Sequence, residues 1–149
     1  MITQEELNNL IVEKAREWIG TPYHHQMSLK GVGCDCIGLV RGVYSEIYGL
    51  TVEPPTYPKD WGDSNGREDI IAVGDQYLKR IPTWKADKGN LIAVRWKKSR
   101  VAKHVMIMTS KDTAIHAYNN FPVAEINLNR WWKDKISITF QFPILGVIN

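Results

Sequence analysis

The chain has 149 residues, 44% of them hydrophobic and 23% charged, which predicts a single globular domain over 1–149 with a core of its own. Its formal charge is only +3 and its 19 Lys and Arg residues are scattered, so the composition argues against a nucleic-acid-binding protein. No apolar run approaches the ~20 residues that cross a bilayer, and the first residues lack the pattern of a secretion signal. We therefore expect synthesis in the cytoplasm and no membrane insertion.

Helix signals dominate the first half of the chain. Helical spacing of apolar residues predicts three helices, at 4–19, from 36 to a stop at 49, and at 67–79. The first begins at a capping-box pattern formed by Thr3 and Glu6. The segment 21–33, which contains proline and glycine, is predicted as a loop. The proline-rich segment 51–66 is predicted to lie on the surface as the wall of a cleft.

Beyond Gly89 the apolar pattern changes to the period of strands. Short segments rich in β-branched and aromatic residues predict strands at 91–96, 104–109, 113–117, 123–128 and 136–142. The turns between them predict an antiparallel meander. Helices followed by strands indicate an α+β fold.

The cysteines lie on either side of Asp35, at the predicted start of the second helix. A disulfide between Cys34 and Cys36 would close a strained ring. Asp35 suits the N-cap position, which makes Cys36 the first helical residue, where backbone N–H groups and the helix dipole favour a thiolate. Cys36 is therefore the candidate nucleophile. The alternative is that both cysteines are buried packing residues.

Histidines in the predicted strands supply a candidate base. Alternation places His104 on the same face of its strand as Met106, and His116 lies on the next strand after a tight turn. Neighbouring antiparallel strands bring such side chains within about 5 Å of each other. Cys36, His104 and His116 would then form a triad of nucleophile, base and orienting residue. Either histidine alone would more often be a core residue bonded to backbone.

The residues around Cys36 are candidates for binding the substrate. The backbone N–H of Cys36 could stabilise an oxyanion together with the Tyr23 hydroxyl, and Asp35 adjoins this oxyanion and substrate-binding position. Further candidates for the lining of the cleft are His24, His25 and Trp61. The alternative for each of these three is an exposed or packing role without a ligand.

Zinc binding is an alternative use of the same cysteines and histidines, which could supply four ligands between them. The single residue between the cysteines does not match a zinc knuckle, which has about two to four intervening residues. We therefore expect neither a metal nor another cofactor.

Several motifs together resemble the NlpC-type papain-like cysteine peptidases, which cut cell-wall peptides. They are Gly20-Thr21-Pro22-Tyr23, Asp35-Cys36-Ile37-Gly38-Leu39-Val40, His104-Val105-Met106-Ile107 and Ile115-His116-Ala117. Longer runs at 15–26, 31–36 and 39–44 resemble the branch encoded by phages, prophages and gene transfer agents. The resemblance covers nearly the whole chain.

The resemblance implies a papain-like fold, with N-terminal helices packed on a five- to six-stranded antiparallel sheet. It implies Cys36 as nucleophile, His104 as base, His116 as third member and Tyr23 near the oxyanion, without a metal. The implied reaction is hydrolysis of peptidoglycan stem peptides after D-glutamate at the bacterial cell wall. The implied location is a virion tail, with tail hub or tip proteins as partners. An acyltransferase or amidase with the same triad, and a catalytically idle tail-tip protein, are the alternatives.

The chain departs from the family's usual pattern at two positions. Asn90 follows Gly89 where members often have aspartate, in a turn away from the nucleophile. Met106 stands where a small residue is common, and we expect it to narrow the cleft and change which peptide fits.

Overall fold

The computed structural model describes residues 1–53, 68–97 and 101–147. Its helices are α1 (Gln4–Arg16), α2 (Cys36–Tyr48), α3 (Asp69–Tyr77) and α4 (Arg130–Lys133), with a 3-10 helix at Thr83–Lys85. Its strands are β1 (Ser28–Leu29), β2 (Gly33–Cys34), β3 (Lys79–Ile81), β4 (Leu91–Val94), β5 (His104–Ser110), β6 (Thr113–His116), β7 (Ala124–Asn127) and β8 (Ile136–Gln141). No helix of these ranges is long and apolar enough to span a membrane. Trp61 and most of the proline-rich segment lie outside the described residues.

The centre of the molecule is a six-stranded sheet in the order β3-β8-β4-β5-β6-β7, with every pair antiparallel. The α+β fold and the strand number are therefore confirmed. Strands β4 to β7 follow one another as a meander, as predicted. Strand β8 departs from that order, because it returns to pair with β4 and leaves β3 and β7 as the edges.

The start of α1 follows the prediction and its end does not. The Thr3 hydroxyl accepts the Glu6 N–H at 3.1 Å, and the Thr3 N–H donates to the Glu6 carboxylate at 3.2 Å, which completes the capping box. The predicted helix over 4–19 is too long, because the α-helix ends at Arg16. Beyond it, the Gly20 N–H donates to the Val123 carbonyl at 2.8 Å, which turns the chain towards the sheet.

Two further predicted segments have different secondary structure. The predicted loop at 21–33 contains the small antiparallel pair of β1 and β2. The predicted helix at 67–79 is shorter, since α3 covers Asp69–Tyr77 and the following residues form edge strand β3 against β8. Pairing with a distant strand overrides local helix periodicity here.

The sheet carries a different apolar cluster on each face. On one face, α1 and α2 pack against β5 through residues such as Leu7, Leu39 and Ile107. On the other face, Met106 packs with Ile92 and neighbouring residues of β4, β5 and β6. The predicted alternation along β5 is therefore confirmed. Met106 is fully buried in the second cluster rather than in the cleft, so the expectation that it narrows the cleft is wrong.

Candidate active site

The start of α2 is fixed by a buried carboxylate. Asp35 is the N-cap residue, and its Oδ1 accepts the Gly38 N–H at 2.7 Å. Its Oδ2 accepts the Gln26 N–H from the preceding loop, also at 2.7 Å. Cys36 is consequently the first residue of the helix, as predicted, with 8% of its surface exposed. One side chain thus holds both the helix start and the loop that faces it.

The loop before α2 packs directly on the helix backbone. The Cys34 N–H donates to the Pro22 carbonyl at 3.0 Å, so the chain beside Tyr23 runs along β2. A Cβ atom at Gly38 would lie 1.9 Å from the Met27 carbonyl oxygen. Glycine at position 38 therefore permits the close approach that brings the loop against α2.

The two histidines of the predicted triad are hydrogen-bonded to each other. His104 Nε2 lies 2.8 Å from His116 Nδ1, and both side chains are buried. Strand β5 pairs with β6 so that Ile107 lies opposite Ile115. The same register places His116 opposite Met106, two residues along from His104, so the rings meet diagonally on one face of the sheet. The predicted juxtaposition of these histidines is confirmed.

Three aromatic rings enclose the histidine pair. The Trp96 ring lies nearly parallel to His104 at 6.1 Å between centroids, and the Tyr118 ring nearly parallel to His116 at 5.6 Å. Trp132 meets His116 edge-on at 5.8 Å. Trp96, Trp132 and Tyr118 were not predicted to lie at the site. The sequence did carry a signal for Tyr118: it lies two residues after His116, so in an extended chain both side chains lie on the same face.

A cleft of about 220 Å³ opens between the start of α2 and the histidine pair. It is lined by Tyr23, His25, Asp35, Cys36, Trp96, Lys103, His104, Ala117, Tyr118 and Asn119. The cleft therefore brings together Cys36, His104 and Tyr23. His116 lies behind His104. Of the adjacent loop histidines, His25 reaches the cleft, whereas His24 is exposed outside its lining.

Burial keeps Cys36, His104 and His116 in their neutral forms at neutral pH. Burial raises the pKa of the Cys36 thiol to about 12, and the Asp35 carboxylate acts in the same direction. Hydrogen bonds from backbone N–H groups, that of Val105 among them, oppose this rise in the Cys36 pKa. Burial lowers the pKa of His104 to about 3, and the nearby His116 makes a smaller contribution in the same direction. Burial likewise lowers the pKa of His116 to about 4. The resting site thus pairs a thiol with uncharged imidazoles.

Two neighbouring groups are also held in their protonated forms. Burial raises the pKa of Tyr23 to about 12, with smaller contributions from Cys36 and Asp35, so its hydroxyl remains a hydrogen-bond donor. Cys34 is completely buried in β2, and burial raises its thiol pKa to about 12 as well.

Across residues 1–53, 68–97 and 101–147, no three His, Cys, Asp or Glu side chains gather as they would around a metal ion.

The sequence profile of the NlpC/P60 family matches residues 20–139, a stretch that includes the cysteine at the helix start and both histidines of the pair. The chain belongs to the NlpC/P60 family. No curated protein sequence matches it.

Solved NlpC/P60 structures share this fold. The NlpC/p60 domain of the peptidoglycan hydrolase SagA superposes with a TM-score of 0.67 at 22% identity, covering 91% of this chain and 98% of that domain. A lipoprotein-like NLP/P60 protein from Staphylococcus aureus gives 0.63 at 18% identity, covering 100% of this chain and 44% of that one. NlpC2 from Trichomonas vaginalis gives a TM-score of 0.63 at 16% identity, covering 96% of this chain and 47% of that one. The chain thus spans the whole SagA domain and under half of each of the other two chains.

Proposed function

We propose that this NlpC/P60 protein is a cysteine endopeptidase that hydrolyses peptidoglycan stem peptides. The observation that carries the proposal is the hydrogen-bonded pair of His104 and His116, 2.8 Å apart, at a cleft that also contains Cys36 at a helix start. A buried thiol, a base and a residue that orients the base are the groups required for acyl transfer to sulfur.

The hydrogen bond between the histidines supports different roles for the two residues. Because His104 Nε2 is bonded to His116 Nδ1, His104 Nδ1 is the nitrogen left to accept a proton. In this arrangement His104 Nε2 carries the ring hydrogen and donates a hydrogen bond to His116 Nδ1. The Cys36 thiol then transfers its proton to His104 Nδ1 as sulfur attacks the substrate carbonyl carbon. When the C–N bond breaks, His104 returns the proton to the leaving amine, and water hydrolyses the thioester.

The oxyanion that forms during attack needs hydrogen-bond donors already in place. The backbone N–H of Cys36 at the start of α2 is one donor, and it is reinforced by the helix dipole. The Tyr23 hydroxyl is a second donor, because it lines the same cleft and stays protonated. Asp35 contributes by fixing the position of Cys36, through its hydrogen bonds to the helix and to the loop.

The proposed substrate is the stem peptide, cut after D-glutamate. Membership of the NlpC/P60 family and the shared fold of the SagA domain, a peptidoglycan hydrolase, support the substrate class. The bond is proposed from the resemblance of the motifs around Cys36, His104 and His116 to the NlpC-type peptidases. The resemblance of 15–26, 31–36 and 39–44 to the phage, prophage and gene-transfer-agent branch supports a tail-associated enzyme acting at the cell wall, with tail hub or tip proteins as partners.

The test is digestion of purified sacculi with mass analysis of the released fragments. Wild-type protein is expected to release peptides that end at D-glutamate, and Cys36→Ser to release none. Cys34→Ser is the matched control, since it alters the neighbouring thiol and leaves the nucleophile in place. Release by Cys36→Ser equal to wild type would show that Cys36 is not the nucleophile.

The same digestion separates the alternative functions. New amino groups that appear without an added acceptor require hydrolysis, whereas product formed only with an added amine or alcohol would indicate an acyltransferase. If wild-type protein releases nothing in either case, and particles carrying Cys36→Ala remain infectious, the protein is a structural tail component.

A further inference from the structure

Beside the cleft the structure exposes aromatic rings that take no part in the proposed bond-breaking steps. Phe121 is 62% exposed and Trp131 is 51% exposed, and Tyr118 is partly exposed between the cleft and Phe121. We call Tyr118, Phe121 and Trp131 the aromatic rim. Single exposed aromatic residues are common on proteins, but a contiguous group next to a cleft marks a binding surface.

The aromatic rim is continuous with the wall of the cleft. Tyr118 lines the cleft, and the Phe121 ring is parallel to it within 8° at 6.4 Å between centroids. Trp96 also lines the cleft, and its ring lies 5.9 Å from Tyr118 and 6.2 Å from Trp131. A substrate seated at Cys36 therefore has an aromatic surface on the side of the histidine pair.

Polar groups accompany the exposed rings. The Lys135 ammonium lies 4.8 Å from the centroid of the Trp131 ring, and Asn119 is exposed in the cleft lining next to Tyr118. Sugar-binding surfaces combine these two elements: an aromatic face contacts the C–H side of a pyranose ring, and nearby amide or ammonium groups bind its hydroxyl and acetamido groups.

We propose that the aromatic rim binds the N-acetylated sugars of the glycan strand that carries the stem peptide. The inference rests on the proposed function, because it takes the occupant of the cleft to be a stem peptide. In peptidoglycan, two amino acids separate the bond after D-glutamate from the sugar, and two extended residues span about 7 Å. Tyr118 lines the cleft that contains Cys36, so a sugar attached to a peptide in that cleft lies beside the wall that the rim continues.

Binding is tested with the full-length protein carrying Cys36→Ala and N-acetylglucosamine oligosaccharides, which contain no peptide. Saturable binding by calorimetry is expected, and Phe121→Ala or Trp131→Ala is expected to weaken it about five- to tenfold each, as the loss of one ring contact predicts. Trp131→Tyr, which keeps a ring, is expected to restore most of the affinity.

The matched control is Trp84→Ala. Trp84 is 81% exposed and has Lys85 5.1 Å from its ring centroid, much as Lys135 approaches Trp131, but it follows the opposite edge strand of the sheet and does not line the cleft. Its removal is expected to leave oligosaccharide binding unchanged. Absence of binding, or equal weakening by Trp84→Ala and Trp131→Ala, would overturn the proposal.

Kinetics separate this inference from the proposed function. Trp131→Ala is expected to lower kcat/KM for a glycan-linked stem peptide about five- to tenfold more than for the same peptide without sugar. Equal losses on the two substrates would overturn the aromatic rim as a sugar site. Oligosaccharide binding through Trp131, together with no cleavage of either substrate, would refute the peptidase and leave the sugar site in place. A protein ligand captured at the rim without sugar binding would also refute the inference.

Discussion

At the scale of single residues, Cys36 combines the helix position that favours a thiolate with surroundings that favour a thiol. Burial and the adjacent Asp35 carboxylate raise its pKa to about 12, while backbone N–H donors, including that of Val105, lower it. Burial dominates this balance. Ionisation of Cys36 is therefore expected to accompany attack on the substrate, when His104 takes the proton.

The first prediction concerns the reactivity of Cys36 in the free protein. Because Cys36 is a thiol at neutral pH, its alkylation by iodoacetamide is expected to be slow and to accelerate as the pH rises towards its pKa of about 12. Peptide mass analysis of Cys36 after timed alkylation measures this rate. A rate already at its plateau under mildly acidic conditions would indicate a preformed thiolate–imidazolium pair and contradict the prediction.

The second prediction isolates the charge of Asp35. Asp35→Asn keeps an oxygen that can accept the Gly38 N–H, and it removes the negative charge that helps to raise the Cys36 pKa. Alkylation of Cys36 at a fixed pH is therefore expected to be faster in this variant. Stability is expected to fall by about 1 kcal/mol, since the amide nitrogen cannot replace the oxygen that accepts the Gln26 N–H.

Glu13→Gln is the control for the charge effect. Glu13 is an exposed carboxylate on α1 outside the cleft lining, so its substitution is expected to leave the alkylation rate unchanged. An unchanged or slower rate in Asp35→Asn would show that the carboxylate does not raise the pKa of the Cys36 thiol.

At the scale of elements, the contact between α2 and the preceding loop controls the geometry of the site. The third prediction is that Gly38→Ala disturbs this contact, because a Cβ atom would lie 1.9 Å from the Met27 carbonyl oxygen. Accommodation would require the backbone to move, and the loop that carries Tyr23 would shift away from Cys36. A loss of at least tenfold in kcat is expected, with a stability cost of about 1–3 kcal/mol.

Gly31→Ala provides the contrast within the same loop. A Cβ atom at Gly31 meets no other atom within 4 Å, although its φ of +77° makes alanine strained there. This variant is expected to lose stability with little loss of kcat. If Gly38→Ala instead retained wild-type kcat, close packing of the loop on α2 would not be required for catalysis.

Elements with strong local signals could be predicted from the sequence, whereas the two-residue strands β1 and β2 and the strand made by distant pairing could not. The capping box of Thr3 and Glu6, the N-cap at Asp35 and the shared face of His104 and His116 all follow from spacing along the chain. Strand β3 was missed because its partner β8 lies far along the chain. The enclosure of the histidines by aromatic rings was missed for the same reason, since Trp96 and Trp132 reach them from separate segments.

At the scale of the whole molecule, two buried uncharged imidazoles make the stability of the fold depend on pH. The lowered pKa values of His104 and His116, about 3 and about 4, mean that the folded chain leaves both rings neutral where the unfolded chain begins to protonate them, near pH 6.5. The unfolded state then binds more protons. The stability that these rings contribute is fully present above about pH 6.5 and is lost as the pH falls towards the folded values.

The fourth prediction is a corresponding acid sensitivity. Between about pH 6.5 and 5, above the range in which most carboxylates titrate, the free energy of unfolding is expected to fall by up to about 1.4 kcal/mol per pH unit for each imidazole. Urea unfolding at a series of pH values measures this slope. His116→Asn is expected to reduce the slope by about half, and His24→Gln, which removes an exposed ring, to leave it unchanged. A slope unaffected by His116→Asn would contradict this origin.

The burial of Cys36 also has a consequence for damage by oxidants. Peroxide oxidises the thiolate rather than the thiol, so a buried sulfur with a pKa of about 12 reacts slowly while no substrate is bound. The burial that makes proton transfer to His104 necessary for the proposed attack therefore also protects the sulfur from oxidants in the free protein.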